Sequence, residues 1–322
     1  MINRYIVVLS LAAAVSAPVL AAAQDFTPTG DRILSDPTYL PLQGQFSGET
    51  GYNYERTTGN LFDSTGAQTA TTRNSLNTIR QRFTYGITDQ LSVNAGIAYG
   101  FDGRVSQNGL PGNNRSGFDD PTFGLTYRLL DQRKRPLSLD VFGEYSPDAF
   151  QSRSASDSQD GTVARGGSEA GFGAALGHET RFFTIRGAFT DRYFGDSSSL
   201  NTTSGASADT SSYWVPTLGV QTQTRFTNRL SANVGFEYNF DGNRNTVNSL
   251  SGVESINHVG DNQDVNVSLN YRFVPNRLVG SLDYHHTFYG RSNESFPADP
   301  TENTLLTRSG NEVGATLRYV FK

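Results

Sequence analysis

The stretch Leu91-Ser-Val-Asn-Ala-Gly-Ile-Ala-Tyr-Gly-Phe101 alternates large apolar side chains with small or polar ones. This alternation places every second side chain on one face of a β-strand. The ranges Leu230 to Phe240 and Val265 to Phe273 repeat the pattern. A tilted strand needs only about 9–11 residues to cross the hydrocarbon of a membrane. The pattern therefore predicts membrane-crossing strands with apolar residues facing lipid and small or polar residues facing a lumen.

These strands recur at nearly even spacing. The first large apolar residue after each of five short polar turns is Leu91, Leu137, Phe183, Leu230 and Leu278, at intervals of 46, 46, 47 and 48 residues. A period near 47 accommodates two membrane-crossing strands, one short turn and one long loop. The sequence thus predicts an all-β fold, a transmembrane antiparallel up-and-down β-barrel with short periplasmic turns and long extracellular loops.

Twelve strands can be placed by the alternation. They cover about residues 44–56, 74–87, 90–101, 119–130, 137–150, 168–179, 182–194, 212–226, 229–241, 262–273, 278–290 and 310–321. Two positions fit poorly. Gln81 falls on the apolar face of the second strand, and Pro216 removes a ladder hydrogen bond from the eighth. We expect Pro216 near the extracellular rim or at a bulge.

The N-terminus has the features of an export signal. Arg4 precedes an apolar stretch from Ile6 to Val15, and the small residues Ala21 to Ala23 provide a cleavage site. We therefore predict a signal peptide over 1–23, a segment over 24–42 that is either a periplasmic lead or a plug in the lumen, and the barrel over 43–322. The expected location is the outer membrane of a Gram-negative cell.

The amino-acid composition excludes some classes of function. The 322 residues include no Cys, so thiolate metal sites and Cys nucleophiles are excluded. The net charge of −5 argues against nucleic acid as a partner. The 33 Gly, 21 Phe and 15 Tyr suit the bends and aromatic girdles of a barrel. We expect no cofactor and no metal.

Charged side chains of both signs fall on the predicted lumen face. They are Glu49, Glu55, Arg80, Arg82, Arg128, Asp140, Glu144, Glu169, Arg186, Glu237, Arg272, Asp283 and Arg318. Arg128 and Asp140 flank one periplasmic turn at similar heights, so we expect them to meet. The set predicts either a selectivity lining that orients a polar or charged solute or a group of ion pairs that satisfy one another in a narrow barrel. The sequence leaves both open.

The histidines suggest an enzymatic alternative that is less favoured. His286 falls on the outward face near Thr287 and Ser292, and outer-membrane phospholipases use an outward Ser–His pair. The chain has no GxSxG motif that would define a triad. His285 and His286 are adjacent on a strand, so they point to opposite faces and do not form a metal pair. We predict that the protein is not an enzyme and has no catalytic residues.

The string Gly117-Phe-Asp-Asp-Pro-Thr-Phe-Gly-Leu-Thr-Tyr-Arg-Leu-Leu130 is more specific than general barrel character. It resembles the G-x-x-D-P-x-x-G-x-x-Y-R-L-L run of outer-membrane transporters related to the phenol-degradation meta-pathway family. Asp120, Pro121, Gly124, Tyr127 and Arg128 carry the match. The resemblance implies a transport-related barrel that admits aromatic or other poorly soluble compounds.

Three functions follow in order of preference. The first is an outer-membrane channel or transporter for uptake of a small solute. The second is a closed structural or surface-binding barrel that acts through its extracellular loops, and the third is a lipid hydrolase. Expected partners are outer-membrane lipids and lipopolysaccharide, the barrel-assembly machinery and a small-molecule solute.

Overall fold

The computed structural model describes residues 34–109, 113–154, 160–201, 205–297 and 299–321. The signal peptide predicted over 1–23 and the first part of the lead, residues 24–33, lie outside this range. Within the described residues, no helix has the length and apolarity to span a membrane.

Twelve long antiparallel strands form a closed ring in the described part of the chain. The strands in chain order are β1 (Phe46–Phe62), β2 (Gln68–Gly86), β3 (Leu91–Gln107), β4 (Asn113–Phe118), β5 (Thr122–Leu130), β6 (Ser138–Ser146), β7 (Glu169–Glu179), β8 (Phe183–Phe194), β9 (Ser197–Leu200), β10 (Ser207–Thr210), β11 (Tyr213–Arg225), β12 (Leu230–Asn239), β13 (Asn243–Asn248), β14 (Glu254–His258), β15 (Asn262–Val274), β16 (Leu278–Phe288), β17 (Ser292–Phe296) and β18 (Asp299–Phe321). Strands β1, β2, β3, β5, β6, β7, β8, β11, β12, β15, β16 and β18 form the ring, and the pairing of β1 with β18 closes it.

The predicted barrel is confirmed, but the extracellular loops are more ordered than the sequence indicated. Short strands β9, β10, β13, β14 and β17 pair with one another and with β18 outside the ring. The loop expected between the predicted strands 44–56 and 74–87 is mostly strand, because β1 continues to Phe62 and β2 begins at Gln68. Polar Thr, Asn and Ser residues can alternate in a strand that lies in water, so their polarity did not distinguish these extensions from loops.

The repeated sequence produces a repeated periplasmic turn. The hydroxyl of Thr88 accepts hydrogen bonds from the backbone N–H of Gln90 and Leu91, at 3.1 and 3.0 Å. The hydroxyl of Thr227 accepts from Arg229 and Leu230 at 3.1 and 3.0 Å. A side-chain hydroxyl that bonds backbone two and three residues ahead stabilises a tight turn. The two related strings therefore fold alike because each carries Thr at the same offset.

The outward face has the chemistry of a lipid-facing surface. Large apolar side chains stay exposed on it, for example Ile79, Phe172 and Leu282. Near the periplasmic edge, Phe46 stacks on Phe83 with ring centroids 5.4 Å apart. Near the opposite edge, Tyr193 lies 5.0 Å from Trp214, and Tyr238 lies 4.8 Å from Phe240. These clusters form two aromatic girdles, as expected at the two interfaces of a membrane.

Both poorly fitting residues have a structural explanation. Gln81 faces outward, where its amide accepts from the Thr50 hydroxyl at 2.5 Å and donates to the Tyr319 hydroxyl at 2.9 Å. These bonds satisfy an amide that would otherwise be costly against lipid. Pro216 lies near the extracellular end of β11, one residue before the pairing with β12 begins at Thr217. The expectation for Pro216 is therefore confirmed.

Candidate functional site: the barrel lumen

Residues 34–45, here called the N-terminal segment, lie inside the periplasmic end of the ring. Leu34, Ser35, Asp36, Thr38 and Leu40 are buried although the segment belongs to no strand. The backbone carbonyl of Ser35 accepts a hydrogen bond from the buried Gln223 amide at 2.8 Å. An irregular segment at membrane depth is tolerated where it is enclosed by protein and its polar groups are satisfied.

Arg225 on β11 is the main anchor of the segment. Its guanidinium contacts the carboxylate of Asp36 and donates to Glu179 at 2.8 Å and to the Thr180 carbonyl at 2.8 Å. The Thr184 hydroxyl donates to the same carboxylate oxygen, Oδ2, at 2.6 Å, and the other oxygen, Oδ1, accepts from the backbone N–H and hydroxyl of Thr38 at 2.8 and 2.7 Å. A buried charge needs this degree of pairing to offset its desolvation.

Arg128 on β5 is the second anchor. It forms the expected pair with Asp140 across the hairpin, with Nε–Oδ1 at 2.7 Å and Nη2–Oδ2 at 3.0 Å. The same Nη2 donates to the backbone carbonyl of Thr38 at 2.5 Å. A bidentate guanidinium–carboxylate pair has a fixed orientation. The pair therefore presents a directed donor to the N-terminal segment.

Two strand glycines leave room for this segment. A Cβ on Gly86 would lie 2.0 Å from the backbone oxygen of Leu42. A Cβ on Gly177 would lie 2.5 Å from the side chain of Thr38. Separations below 3.0 Å are not tolerated by real Cβ atoms, so at each position the wall is thin where the segment passes.

A cavity of about 360 Å³ lies in the lumen against the N-terminal segment. Its floor includes Leu34, Asp36 and Leu40, and its wall comes from strands on all sides of the ring. The wall residues are Ser47, Gly48, Glu49, Arg82, Thr84, Ser92, Asn94, Thr126, Asp140, Arg186, Gln221, Asn233 and Arg318. The volume falls within the range of about 300–1,000 Å³ typical of small-molecule sites.

Ion pairs cross this part of the wall. Glu49 accepts from Arg318 at 2.7 Å and lies 3.7 Å from Arg80. Arg82 does not bond to Glu49, its direct cross-strand neighbour, but reaches Glu144 at 3.3 Å. Gly96, opposite Arg82 on β3, has no side chain to block that reach. Several of the predicted lumen charges therefore satisfy one another, as one of the two interpretations expected.

The other predicted lumen residues are spread along the wall. Glu55 is bonded by Thr57, Glu169 pairs with Arg165 at 2.9 Å, and Asp283 accepts from Thr316 at 3.0 Å. Arg272 is buried at the periplasmic end, where its Nε and Nη2 have no hydrogen-bond partner. Glu237 lies directly opposite Asp264. Their role in selectivity stays a prediction.

Sequence reasoning missed the residues that hold the N-terminal segment. Asp36, Glu179, Thr184, Gln223 and Arg225 were not among the predicted site residues. Arg225 could have been recognised from the sequence, because it lies at a periplasmic strand end two residues after Gln223 and both side chains point inward. Asp36 carried no such signal, because it lies outside every periodic segment.

The two adjacent histidines point to opposite faces, as expected. In the lumen, His285 lies 3.0 Å from the carboxylate of Asp264 and 3.8 Å from that of Glu312. On the outside, His286 contacts Asn311 at 2.8 Å and packs edge-on against Phe288 at 4.2 Å. Neither Thr287 nor Ser292, the hydroxyls considered from the sequence, is the observed partner of His286. The hydroxyl of Thr287 donates inward to Asp264.

The residues of the family-like string occupy defined structural positions. The carboxylate of Asp120 accepts from the backbone N–H of Ala149 and Phe150, both at 2.9 Å, and so ties β5 to the rim after β6. A Cβ on Gly124 would lie 2.5 Å from the Asn94 amide. Tyr127 is exposed on the outer face, and Arg128 is the lumen anchor described above. The string thus contains a residue that ties the rim together, a glycine in the wall and an arginine that anchors the N-terminal segment.

A closed ring of strands defines an outer-membrane β-barrel when its outer surface is apolar and carries two aromatic girdles and its lumen is charged. The predicted class of protein is therefore confirmed. The structure is similar to that of an outer membrane channel from Pseudomonas putida F1, with a TM-score of 0.58 and 15% identity over 92% of this chain and 100% of that chain. It is also similar to the transport unit of the autotransporter AIDA-I from Escherichia coli, with a TM-score of 0.52 and 9% identity over 89% of this chain and 95% of that chain. No protein-family model and no curated protein sequence matches the chain.

Proposed function

We propose that the protein is an outer-membrane channel for uptake of small, poorly soluble organic solutes, and that the N-terminal segment controls its periplasmic end. The observation that carries the proposal is a solute-sized cavity in the lumen, bordered on one side by a segment that is not part of the wall. The Pseudomonas protein of similar fold is described as an outer membrane channel. The family-like string supports the same class of activity.

The N-terminal segment is held in a way that permits release. Its described contacts to the anchors are side-chain bonds, from Gln223, Thr184, Arg225 and Arg128. Its last two residues, Gly44 and Gln45, also make backbone hydrogen bonds with Gly86 of β2. Release of residues 34–42 alone breaks no ladder hydrogen bond of the twelve-stranded ring. Displacement of the segment would therefore open the periplasmic end while the barrel stays intact.

A surface-binding role is the second candidate. The strands outside the ring, β9, β10, β13, β14 and β17, form an ordered extension that could bind a ligand or surface. This role needs no passage through the lumen. Solute flux therefore separates the two candidates directly.

The test measures both flux and conductance. The full chain is expressed in a Gram-negative host that lacks its major porins, and uptake of a radiolabelled small neutral arene is compared with that of cells carrying the empty vector. Purified protein is then studied in planar bilayers as wild type and as Asp36→Ala. Uptake above the vector control is expected, and Asp36→Ala should give longer or larger open events, because the main anchor loses its partner.

Asp63→Ala is the matched control, since Asp63 lies in the exposed turn between β1 and β2. It should conduct like the wild type. Heat-modifiable gel mobility verifies that each variant is folded. A folded wild-type barrel with neither arene uptake nor conductance would overturn the proposed channel and favour the surface-binding role. Equal conductance of wild type and Asp36→Ala would overturn the control by the N-terminal segment.

A further inference from the structure

One guanidinium in the cavity wall has no carboxylate partner. Arg186 on β8 faces the lumen and lines the cavity. Two acids act on its charge: Asp140 is already paired with Arg128, and Glu237 on β12 lies beyond ion-pair distance. Among the described residues, no carboxylate lies within ion-pair distance of Arg186. An unpaired cation in a partly desolvated wall is unusual, because an opposite charge normally compensates it.

An aromatic ring lies beside this cation. The guanidinium of Arg186 is 5.9 Å from the centroid of the Phe142 ring. Phe142 belongs to β6, and its ring reaches across Gly173 on β7, where a Cβ would lie 2.6 Å from the ring. The absent side chain of Gly173 therefore lets an inward aromatic ring lie next to an inward cation. Phe142 does not itself line the cavity; it lies two positions beyond the lining residue Asp140 on the same face of β6. The pair therefore presents a positive charge in the cavity and an apolar ring beside it.

Amide groups continue the polar side of this site. Gln221 lies directly opposite Arg186 on β11, and Asn233 follows on β12. Asn233 is only 4% exposed, lines the cavity and has a side-chain oxygen without a hydrogen-bond partner. A buried unpaired amide oxygen costs free energy unless a ligand or water bonds to it. This oxygen is a second, independent sign that a hydrogen-bond donor, such as a ligand hydroxyl or a bridging water, occupies the cavity.

From this arrangement we infer that the cavity binds a small organic carboxylate with a flat apolar body. The carboxylate pairs with Arg186 in the cavity, the apolar body extends from there toward Phe142, and Gln221 and Asn233 bond to polar substituents or to a bridging water. The inference rests on the proposed function, because it names the solute class that the lumen recognises. It goes further, because a channel for neutral arenes has no need of an unpaired cation.

A carboxylate fits better than the other anions. The planar guanidinium fork matches the two oxygens of a carboxylate. Phosphate and sulfate offer the same oxygens but no apolar body for Phe142. A doubly charged anion would require a cluster of free cations, but the other two guanidiniums of the wall are paired, Arg82 with Glu144 and Arg318 with Glu49. A neutral arene would satisfy Phe142 and leave Arg186 unpaired.

The test compares two ligands of nearly equal shape. Binding of 4-fluorobenzoate and of neutral 4-fluorobenzamide to the folded full-length barrel in micelles is followed by fluorine NMR, with empty micelles as the blank. We expect the benzoate to bind at least about tenfold more tightly than the benzamide. Arg186→Gln should remove this difference, and Arg186→Lys should restore part of it because the charge is kept without the planar fork.

Arg192→Gln is the matched control. Arg192 lies on the same strand with the same parity as Arg186 but does not line the cavity. It should leave benzoate affinity unchanged within about twofold, and heat-modifiable mobility should verify that all variants are folded. Equal losses in Arg186→Gln and Arg192→Gln would overturn the site in favour of a diffuse positive potential. Equal affinity for the two ligands, or no binding of either, would also overturn it.

The two proposals fail in different ways. If arenes enter porin-deficient cells but benzoate does not bind at Arg186, the channel stands and the carboxylate site is wrong. If benzoate binds at Arg186 but no solute is taken up, the site exists in a barrel that does not transport. The sensitivity of benzoate binding to Phe142→Leu provides a further check, since losing the ring should weaken both ligands.

Discussion

Two ion pairs in the same lumen have the same chemistry and opposite surroundings. In the pair of Arg225 and Asp36 the side chains are 6% and 2% exposed. In the pair of Arg82 and Glu144 they are 48% and 41% exposed. Exposed pairs contribute about 0–1 kcal/mol, whereas removing one member of a buried pair costs about 3–5 kcal/mol. The lumen therefore has a rigid periplasmic end and an adaptable middle.

The largest effect should come from breaking the buried pair. Arg225→Met leaves Asp36 and Glu179 without their shared cation, so we expect a loss of about 3–5 kcal/mol in the free energy of unfolding. Arg82→Met is the matched control and should cost less than about 1 kcal/mol. Reversible urea unfolding in lipid vesicles measures both. Equal losses would contradict the comparison of buried and exposed pairs.

The next effect concerns the space left for the N-terminal segment. Gly86→Ala places a methyl group against the backbone oxygen of Leu42, so we expect a loss of about 1–3 kcal/mol and displacement of the segment. Gly171→Ala is the control, because its Cβ would lie at an ordinary 3.5 Å from Arg192. Protease cleavage within residues 34–45 should become faster only in Gly86→Ala. Unchanged protection in that variant would show that the segment is not packed there.

A smaller effect should follow from a substitution at Arg128 that keeps the positive charge but loses the planar geometry of the guanidinium. Arg128→Lys retains an ion pair with Asp140 but cannot also hold both carboxylate oxygens and the Thr38 carbonyl. We expect a loss of about 1–2 kcal/mol, since roughly one charge-assisted hydrogen bond is removed. Arg80→Lys, at an exposed pair with Glu49, should change the unfolding free energy much less. Similar losses in the two variants would mean that the fixed geometry at Arg128 contributes nothing.

The smallest effect depends on pH and lies outside the membrane. Burial raises the pKa of Asp131 in the periplasmic turn after β5, but hydrogen bonds from Arg133 outweigh it and lower the pKa from 3.8 to about 2. Since the folded pKa is depressed, this contribution is complete above about pH 4 and disappears as the pH falls to about 2. It should stay below about 1 kcal/mol because Arg133 is partly exposed.

Asp131→Asn tests this contribution. Its destabilisation relative to wild type should be constant above about pH 4 and vanish near pH 2, as followed by urea midpoints across that range. Asp63→Asn, in an extracellular turn with no Arg contact among its described bonds, serves as the comparison. A destabilisation that grows on acidification would contradict the assigned role of Arg133.

The wall of the barrel was predictable because it is periodic. The alternation indicated which side chains point inward. Arg128 and Asp140 both do so and lie at similar distances from the same turn, so their pairing could be predicted. The Thr88 and Thr227 turns repeat because local hydrogen bonds depend on nearby residues alone. The extensions beyond the ring were missed because their exposed polar residues lack an apolar face.

The contents of the lumen were not predictable in the same way. Asp36 meets Arg225 across 189 residues of sequence, and no periodicity relates an irregular segment to a strand end. Whether Arg186 is paired depends on which arginine each nearby carboxylate bonds to. Register alone allows Arg82 to bond to Glu49, and only the side-chain arrangement sends it to Glu144. The partner that a side chain bonds to depends on three-dimensional packing, and a strand pattern carries no information about packing.

The pairing of β1 with β18 also has a kinetic consequence. Asp36 reaches its partners on β8 and β11 across 148 and 189 residues, a search of high entropic cost in an open chain. Phe46, at the start of β1, is directly opposite Phe321 once the ring has closed. Only a short tether then separates Asp36 from the fixed wall, so its effective concentration near Arg225 is high. Assembly of the wall therefore makes docking of the segment fast once β1 has paired with β18.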